Sequence, residues 1–146
     1  MAPVEIRAVG PADAEAVLAA GFLFDGAPDA EATRRFLDEP GHHLLLAHDD
    51  DGRPVGFVSG VELAHPDKGA EMFLYELGVD EPVRRRGIGR ALIEALAALA
   101  RERGCYGMYT LADDENGAAR AAYASAGGRE TARPVMIDWE LGSGLD

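Results

Sequence analysis

The sequence predicts a single mixed α/β domain in which strands and helices follow one another in the order β-α-α-β-β-β-α-β-α-β. Apolar residues recur with the alternating period of strands in some stretches and with the helical period in others. The chain of 146 residues, of which 47% are hydrophobic, is long enough for one core. A strand, a glycine-rich turn and a helix also follow directly on one another between Leu77 and Ile93. We expect one domain over residues 1–141 and a flexible tail over residues 142–146.

The first third of the chain is predicted to form one strand and two helices. Residues Val4–Val9 alternate as a strand, and Pro11–Leu23 have helical spacing. Asp29 has the position and chemistry of an N-cap for a second helix, which ends near Leu37. The predicted buried face of the first helix consists of Val17, Leu18 and Phe22.

Three strands are predicted next, and the first two form a hairpin. They span His43–His48 and Val55–Leu63 and are joined through Asp51-Gly52, a dipeptide typical of hairpin turns. The third strand spans Glu71–Val79. One face of the middle strand is predicted to carry Val55, Phe57, Val61 and Leu63.

The remainder of the chain alternates between helices and strands. A helix over Ile88–Arg103 is followed by a strand over Tyr106–Leu111, a helix over Asn116–Ser125 and a final strand over Val135–Leu141. The buried stripe of the long helix is predicted to contain Ile88, Leu92, Leu96 and Leu99. Because this helix connects two strands, we expect those strands to be central and parallel, with a ligand at their carboxyl ends.

Composition and charge argue against several classes of function. A net charge of −12 disfavours nucleic acid and anionic membranes as partners, and it fits either a cationic substrate or simple solubility. The sequence has no apolar stretch long enough to span a bilayer and no signal-peptide pattern, so we predict a cytoplasmic location. The single cysteine, Cys105, fits a reducing compartment and is interpreted as a small hydrophobic residue. No Cys/His spacing predicts a metal site.

The most informative segment is the turn before the long helix, which reads Arg84-Arg85-Arg86-Gly87-Ile88-Gly89-Arg90. Backbone N–H groups at a helix start carry partial positive charge, and glycines allow a ligand to approach the backbone closely. With three arginines added, the turn predicts a phosphate cradle; a solvated basic turn is the alternative. The P-loop pattern is absent, and the dinucleotide fingerprint would require glycine where Leu92 stands.

Two motifs resemble those of the GNAT superfamily of acyl-CoA N-acetyltransferases. The first is Arg84-x-x-Gly87-x-Gly89 after a strand ending in Leu77-Gly78-Val79, and it is similar to the acetyl-CoA pyrophosphate loop of that family. The second is Asn116-x-x-Ala119-x-x-x-Tyr123-x-x-x-Gly127, after which the family usually has an aromatic residue and this chain has Gly128. The resemblance implies a GNAT-like fold, with a partly parallel sheet flanked by helices, and acetyl-CoA as cofactor. The cofactor-binding residues that it implies are Leu77, Gly78, Val79, Arg84, Arg85, Arg86, Gly87, Ile88, Gly89, Arg90, Asn116 and Ala119.

Within that superfamily, roughly residues 70–140 look most like the aminoglycoside 3-N-acetyltransferases. The stretches that carry this similarity are Met72–Val79, the arginine loop, Tyr109–Ala119 and Val135–Asp138. The resemblance implies direct transfer of an acetyl group, in a ternary complex, to the 3-N amine of an aminoglycoside. Two alternatives remain open. The chain could acetylate another amine, such as a polyamine or a peptide amine, or it could be a non-catalytic acyl-CoA sensor.

Glu76 and Tyr123 are the predicted catalytic residues. Glu76 is the only charged residue between Met72 and Val79, and a carboxylate in so apolar a strand is costly without a partner or a task. Burial would raise its pKa toward values useful for a general base; an ion pair with an arginine is the alternative. By resemblance, Tyr123 would protonate or hydrogen-bond the departing thiolate, the alternative being a half-buried structural tyrosine.

A polycationic substrate also requires acidic groups around its binding site. The candidate substrate-binding residues are Asp25, Asp29, Asp113, Asp114 and Glu115. The last three follow a strand at its carboxyl end, beside the expected thioester site; solvated loop acids are the alternative for each. The expected partner is therefore a cationic small-molecule amine, without nucleic acid or membrane, and a homodimer is left open.

Overall fold

The structure, a computed structural model, describes residues 4–142 as a five-stranded sheet with helices on both faces. The strands are β1 (Glu5–Ala8), β2 (His42–His48), β3 (Pro54–His65), β4 (Gly69–Val79) and β5 (Met108–Tyr109). The helices are α1 (Ala14–Ala19), α2 (Ala30–Asp38), α3 (Ile88–Glu102) and α4 (Gly117–Ser125). Within residues 4–142, no helix combines the length and apolar composition required to cross a membrane. Of the predicted flexible tail, residues 143–146 lie outside the described range.

The sheet has the strand order β1-β2-β3-β4-β5. The first three pairings are antiparallel, and β4 pairs with β5 in parallel through the crossover helix α3. The predicted mixed α/β fold and its parallel pair are confirmed. The prediction that both strands of this pair are central is wrong for β5, which is the last strand in the described order.

Two apolar layers hold the sheet between its helices. On the α3 face, the predicted stripe residues Leu92 and Leu96 are fully buried against β2, β3 and β4. The buried residues of this layer are Leu45, Ala47, Val55, Val58, Met72, Leu74, Ile88, Leu92, Ile93, Leu96 and Ala100. On the opposite face, α1 and α2 cover a smaller layer made of Val17, Ala20, Leu37, Leu44, Leu46 and Phe57.

Two β-bulges change which face the strand residues occupy. Ala47 pairs with Gly56 but His48 pairs with Pro54, so Val55 is an extra residue in β3. Val55 therefore packs in the α3 layer and Phe57 in the α1–α2 layer, and the prediction that they share one face is wrong.

The second bulge lies in β4, where Ser59 pairs with Glu76 and the next residue, Gly60, pairs with Leu74. Tyr75 is the extra residue. Leu74 before the bulge and Leu77 after it consequently face the same α3 layer, although three positions separate them. Glu76 is directed to the other face of the sheet, where the candidate site lies.

The predicted first helix, Pro11–Leu23, is broken in the structure into a 3-10 turn, α1 and a second 3-10 turn at Gly21–Leu23. A Cβ on Gly21 would lie 3.0 Å from the ring of Pro28, so the chain packs tightly onto its own turn here. As a result Phe22 is 54% exposed and does not join Val17 in the core. The predicted N-cap of α2 is present, since the Asp29 carboxylate accepts a hydrogen bond from the Ala32 N–H at 2.8 Å.

The end of the chain also differs from the prediction. The predicted strand over residues 106–111 shortens to Met108–Tyr109, and beyond it the Thr110 hydroxyl, instead of the backbone, donates to the Leu74 carbonyl oxygen at 2.7 Å. The predicted final strand over residues 135–141 does not form. No described residue in 129–141 makes a backbone hydrogen bond to the sheet, and β5 remains the last strand in the described order.

A polar network fastens the end of α3 to the sheet. Glu62 Oε2 lies 2.6 Å from His43 Nε2 and accepts a hydrogen bond from Arg103 Nε at 2.8 Å. The side chains of Glu62 and His43 are each only 14% exposed. Burial alone raises the pKa of Glu62, but the hydrogen bonds from His43 and Arg103 outweigh it and hold the pKa below its ordinary value.

We expect Glu62→Gln to lower the free energy of unfolding at pH 7 by about 1–3 kcal/mol, because it removes a paired and mostly buried charge. The folded-state pKa of Glu62 is depressed, so its contribution is full above the ordinary value of 4.5 and is lost as the pH falls through the lower folded-state pKa. The difference between wild type and variant should therefore shrink at acid pH. Urea unfolding at pH 7 and at acid pH measures this.

The matched control is Glu94→Gln, which removes an exposed pair with Arg90 on the same helix. It should change stability by less than about 0.5 kcal/mol. Equal effects of the two substitutions would show that the Glu62 network does not anchor α3.

Candidate active site

A cavity of about 510 Å³ opens at the carboxyl end of β4. Its walls come from β4, from the turn after α1, and from the loop before α3. The lining residues are Phe22, Leu23, Asp25, Phe57, Tyr75, Glu76, Leu77, Gly78, Val79, Asp80, Glu81 and Arg84. The structure thus brings Asp25 next to the predicted residues Glu76, Gly78 and Arg84, from which it is distant in the sequence.

One edge of β4 is open along this cavity. β4 pairs with β5 only at residues 72–73, while its pairing with β3 continues to the end of the strand. The Asp80 N–H donates to the Val55 carbonyl at 2.9 Å, which fixes the β3-facing side of the backbone. By strand alternation, the N–H groups of Leu77 and Val79 are directed to the open edge. These N–H groups can donate hydrogen bonds to an extended ligand, in the manner of strand pairing.

Gly78 allows β4 to lie close to the α1–α2 layer. A Cβ at this position would lie 2.5 Å from a ring carbon of Phe57 and 3.1 Å from the Leu23 carbonyl oxygen. Any side chain here would push the floor of the cavity away from β3. Gly78, which the sequence analysis predicts to contact the cofactor, therefore also has a packing role, and it is among the residues that line the cavity.

The arginine loop (residues 84–90) joins the cavity to the start of α3. Arg84 Nε donates to the Val79 carbonyl oxygen at 3.0 Å, which ties the loop to the end of β4. Arg85 has φ 66°, an uncommon left-handed conformation for a residue with a side chain, and Gly87 has φ 83° at the N-cap of α3. Successive turns of this kind direct backbone N–H groups into one concavity.

The two remaining residues of the glycine motif have different surroundings. Ile88 is 4% exposed and packs in the core, so only its backbone is available to a ligand. A Cβ on Gly89 would meet nothing closer than a Val79 methyl group at 3.7 Å. The domain itself therefore does not require glycine at position 89, and the space beside it is free for a ligand.

Glu76 lies in the cavity with its backbone fixed. Its N–H donates to Ser59 Oγ at 3.2 Å, and among the described residues no arginine forms an ion pair with its carboxylate. Burial raises the pKa of Glu76 above its usual value, and the negative charge of Asp25 raises it further. A half-buried carboxylate of raised pKa, facing a cavity, is a chemically competent proton acceptor.

The second predicted motif forms the start and middle of α4. The Asn116 side chain caps the helix by accepting a hydrogen bond from the Ala119 N–H at 3.0 Å. Tyr123 is partly buried against the α3 layer. It does not line the cavity. A Cβ on Gly128 would lie 2.9 Å from the Tyr123 carbonyl oxygen, so this turn has no room for a side chain at position 128.

The other predicted substrate acids are not gathered at the cavity. Asp29 is used as the cap of α2. Asp113, Asp114 and Glu115 are exposed in the loop before α4, and Asp114 lies 3.5 Å from the Arg120 guanidinium. Their role in substrate binding stays a prediction, for which the described geometry gives less support than for Asp25.

Several lining residues were missed by the sequence analysis. Asp80 and Glu81 close one wall, and Asp80 is paired with Arg53 at 3.2 Å. Phe22 and Tyr75 place exposed rings at the rim. The position of Tyr75 depends on a bulge, which has no signature in the local sequence. Asp80 and Glu81 directly follow a predicted strand, and that placement could have identified them.

Comparison with known proteins gives a consistent result. The family model described as the Acetyltransferase (GNAT) family matches residues 15–127. A mycothiol acetyltransferase of Clavibacter sepedonicus is 47% identical over 75 residues, covering 51% of this chain and 23% of that protein. An L-2,4-diaminobutyric acid acetyltransferase of Streptomyces coelicolor is 33% identical over 89 residues, covering 60% of this chain and 51% of that protein. The matches thus span between about a quarter and a half of these curated relatives.

Solved structures resemble the chain over nearly its whole length. The aminoglycoside acetyltransferase meta-AAC0020, from an uncultured soil metagenomic sample and in complex with sisomicin, has a TM-score of 0.87 at 21% identity, covering 94% of this chain and 96% of that one. The aminoglycoside acetyltransferase HMB0005, from a similar source, has a TM-score of 0.80 at 28% identity, covering 94% and 99%. AAC(6')-Iy in complex with a bisubstrate analog has a TM-score of 0.81 at 23% identity, covering 94% and 99%. Because meta-AAC0020 and AAC(6')-Iy are less than 25% identical to this chain, their similarity shows a shared fold and nothing more.

Proposed function

The chain belongs to the GNAT family of acetyltransferases, and we propose that it transfers an acetyl group from acetyl-CoA to an amine of a cationic small molecule, with aminoglycosides as the first substrate class. The observation that carries this proposal is the position of Glu76. Its carboxylate, with a pKa raised by burial, faces the cavity between the open edge of β4 and the acid Asp25.

The described residues fit acetyl-CoA. The arginine loop would hold the pyrophosphate through backbone N–H groups and guanidinium charge. The Leu77 and Val79 N–H groups would pair with the extended pantetheine arm. The space beside Gly89 would admit the ligand where a side chain would fill it. When bound, acetyl-CoA supplies the activated thioester.

Glu76 would accept the proton that an ammonium must lose before its nitrogen attacks the thioester carbonyl. The Tyr123 hydroxyl would donate a hydrogen bond to the departing sulfur as negative charge develops there. The presence of both Glu76 and Tyr123 favours an enzyme over a non-catalytic acyl-CoA sensor. The cytoplasm stays the predicted location.

The proposed acceptor amine rests on two observations, the acidic lining of the cavity and the similarity of the chain to named acetyltransferases. Asp25, Glu76 and Glu81 give the cavity an acidic lining suited to ammonium groups, and Phe22 and Tyr75 offer ring faces at its rim. HMB0005, at 28% identity, is named an aminoglycoside acetyltransferase. Among the reported neighbours, AAC(6')-Iy names the 6' position, so the 3-N position predicted from the sequence has no support from it. The diaminobutyric acid acetyltransferase favours a second candidate, a small diamine acceptor.

Acetyl-CoA should raise the melting temperature, because a ligand that binds only the folded state stabilises it. Gly89→Leu should remove at least most of this shift while the protein alone remains folded, since position 89 has room for a Cβ. Differential scanning fluorimetry with acetyl-CoA measures both. Gly107→Leu, at a glycine with open space outside the loop, is the control and should keep the shift. If Gly89→Leu keeps the full shift in melting temperature, the arginine loop does not hold the pyrophosphate of acetyl-CoA.

Glu76→Gln should lower kcat by roughly 10²–10⁴-fold and remove the acid limb of the pH–rate profile, since a general base must be deprotonated to act.

Tyr123→Phe should lower kcat but retain the acid limb of the pH–rate profile, because the Tyr123 hydroxyl acts on the leaving sulfur and not on the amine. Asp25→Asn should move the limb to lower pH, because removing the charge of Asp25 lowers the pKa of Glu76. Steady-state rates over pH, with acetyl-CoA affinity measured in parallel, test all three. An unchanged pH–rate profile in Glu76→Gln would show that Glu76 is not the general base and has a structural role.

Purified protein should acetylate at least one aminoglycoside in a panel that also contains 2,4-diaminobutyrate, spermidine and a peptide amine. The KM should rise with salt, because the affinity depends on several screened charges. Asp25→Asn should raise the KM more than Asp114→Asn, whose carboxylate lies outside the cavity lining. Mass spectrometry of the product assigns the acetylated nitrogen. Turnover of the small amines alone, with no aminoglycoside acetylated at millimolar concentration, would establish the second candidate instead.

A further inference from the structure

The side chain of Arg53 occupies a position that is suited to any organic cation. Its guanidinium carbon lies 5.1 Å from the centre of the Phe22 ring, and its Nη2 donates to Asp80 Oδ2 at 3.2 Å. An aromatic face and a carboxylate are the groups with which proteins hold guanidinium and ammonium ions. Phe22 and Asp80 line the cavity of the candidate site, and Arg53 does not. The ring and the carboxylate are therefore shared between Arg53 and the interior of the cavity.

The guanidinium of Arg53 is held weakly, although its backbone is fixed. In the hairpin turn, the Arg53 N–H donates to Asp49 Oδ1 and the Asp49 N–H donates to the Arg53 carbonyl oxygen, both at 2.9 Å. The guanidinium makes one hydrogen bond among the described residues, and the side chain is 58% exposed. The Arg120 guanidinium, by contrast, donates to both carboxylate oxygens of Glu130 and to the Asp114 carbonyl oxygen. Because so exposed a pair adds little stability, Arg53 can release Asp80 without disturbing the hairpin.

Asp80 is held more firmly than its partner. Its side chain is only 16% exposed, and its N–H donates to the Val55 carbonyl oxygen at 2.9 Å, which continues the pairing of β4 with β3. A carboxylate that is largely removed from water is costly without a positive partner. Departure of the Arg53 guanidinium therefore favours the entry of another cation in its place.

The position of Asp80 relative to the proposed base limits which ligands could supply that cation. Glu76 and Asp80 are four residues apart on extended backbone, so they face the same side of the sheet. Their Cα atoms are about 13 Å apart at the usual rise of a strand. The cavity volume of about 510 Å³ is that of a small-molecule site. A ligand with one amine at Glu76 therefore needs its second positive charge on the order of 10 Å away.

We propose that Phe22 and Asp80 form a second cation subsite, that Arg53 fills it when no acceptor is bound, and that an acceptor with two widely spaced ammonium groups displaces Arg53 from it. Exchange of one cation for another at the same ring and carboxylate costs little. The entering ammonium has the advantage, because it belongs to a molecule already held at Glu76 and acts at a high effective concentration.

The subsite narrows the class of acceptor. Aminoglycosides and extended polyamines carry ammonium groups that are spaced widely enough for both positions, and 2,4-diaminobutyrate does not. The inference rests on the proposed function, since that function sets the reacting amine at Glu76.

Calorimetry without acetyl-CoA tests the subsite separately from catalysis. The probe is spermidine, whose terminal ammonium groups are separated by a comparable distance when the molecule is extended. Its shorter counterpart is putrescine. Arg53→Gln should lower the Kd of spermidine about three- to tenfold, because it opens the ring and the carboxylate to the ligand. The Kd of putrescine should change less than about twofold, because putrescine does not span the two positions.

The matched control is Arg7→Gln, which makes the same change of net charge at a pair with Asp13 outside the cavity lining. It should change the Kd of both amines less than about twofold, since exposed charges at a distance are screened. Adding Asp80→Asn to Arg53→Gln should remove the gain, while the backbone hydrogen bond of residue 80 is retained. Circular dichroism melting checks that each variant is folded.

Steady-state kinetics of the same variants test whether the subsite serves the reaction. Arg53→Gln should raise kcat/KM for spermidine about three- to tenfold and leave kcat/KM for putrescine within about twofold. This ratio is the readout because unproductive binding of an amine at the opened subsite does not alter it. If calorimetry shows the gain but no amine is acetylated, the cation subsite stands and the proposed activity fails. If spermidine is acetylated but neither measurement shows a gain, the activity stands and the subsite fails.

Other results would also overturn the proposal. Weaker spermidine binding in folded Arg53→Gln would show that Arg53 supports the cavity wall, and no measurable binding would show that the subsite does not exist. An equal gain for putrescine, or an equal gain in Arg7→Gln, would reduce the effect to net charge. A gain that persists after Asp80→Asn would place the bound cation elsewhere. In a protein that acetylates spermidine, tighter binding without a higher kcat/KM would separate the subsite from the reaction.

Discussion

The candidate site depends on one extra residue in β4. Because Tyr75 is accommodated as a bulge, the residues after it occupy the faces opposite to those that strict alternation would give them. Leu77 and Val79 pack toward α3, and Glu76 and Gly78 face the α1–α2 side. Without the bulge the Glu76 carboxylate would be directed into the apolar core. The pairing of β4 with β5 also stops at Phe73, just before this bulge, so the open edge and the proposed base lie side by side.

The charges of the site are separated along the end of the sheet. On a chain of net charge −12, the arginine loop concentrates positive charge at the start of α3. The acids Asp25, Glu76 and Glu81 line the cavity next to it. Under the proposed function, this arrangement would attract the polyanionic cofactor and the proposed cationic acceptor to adjacent positions. It also explains the raised pKa of Glu76, since burial and a neighbouring carboxylate both disfavour its charged form.

Much of the fold and part of the site could be predicted from the sequence. The strand–loop–helix unit was identified because its signals are local: an apolar run, glycines at a helix start and a periodic apolar stripe. Asp29 and Asn116 cap their helices as their residue types indicate. The first helix was predicted too long, and the final strand was predicted where none forms. Both errors concern segments whose structure depends on distant partners.

The sequence by itself determined the order of the elements as far as α4, the parallel pair around α3, and the presence of a basic glycine loop, because these follow from periodicity and short-range backbone chemistry. Only the tertiary structure decided that Asp25 faces Glu76, that Asp113, Asp114 and Glu115 lie apart from the cavity, and that residues 135–141 have no partner strand within residues 4–142. The physical reason is that a bulge or a strand pairing is decided by hydrogen bonds and packing between residues far apart in the chain, which local sequence does not record.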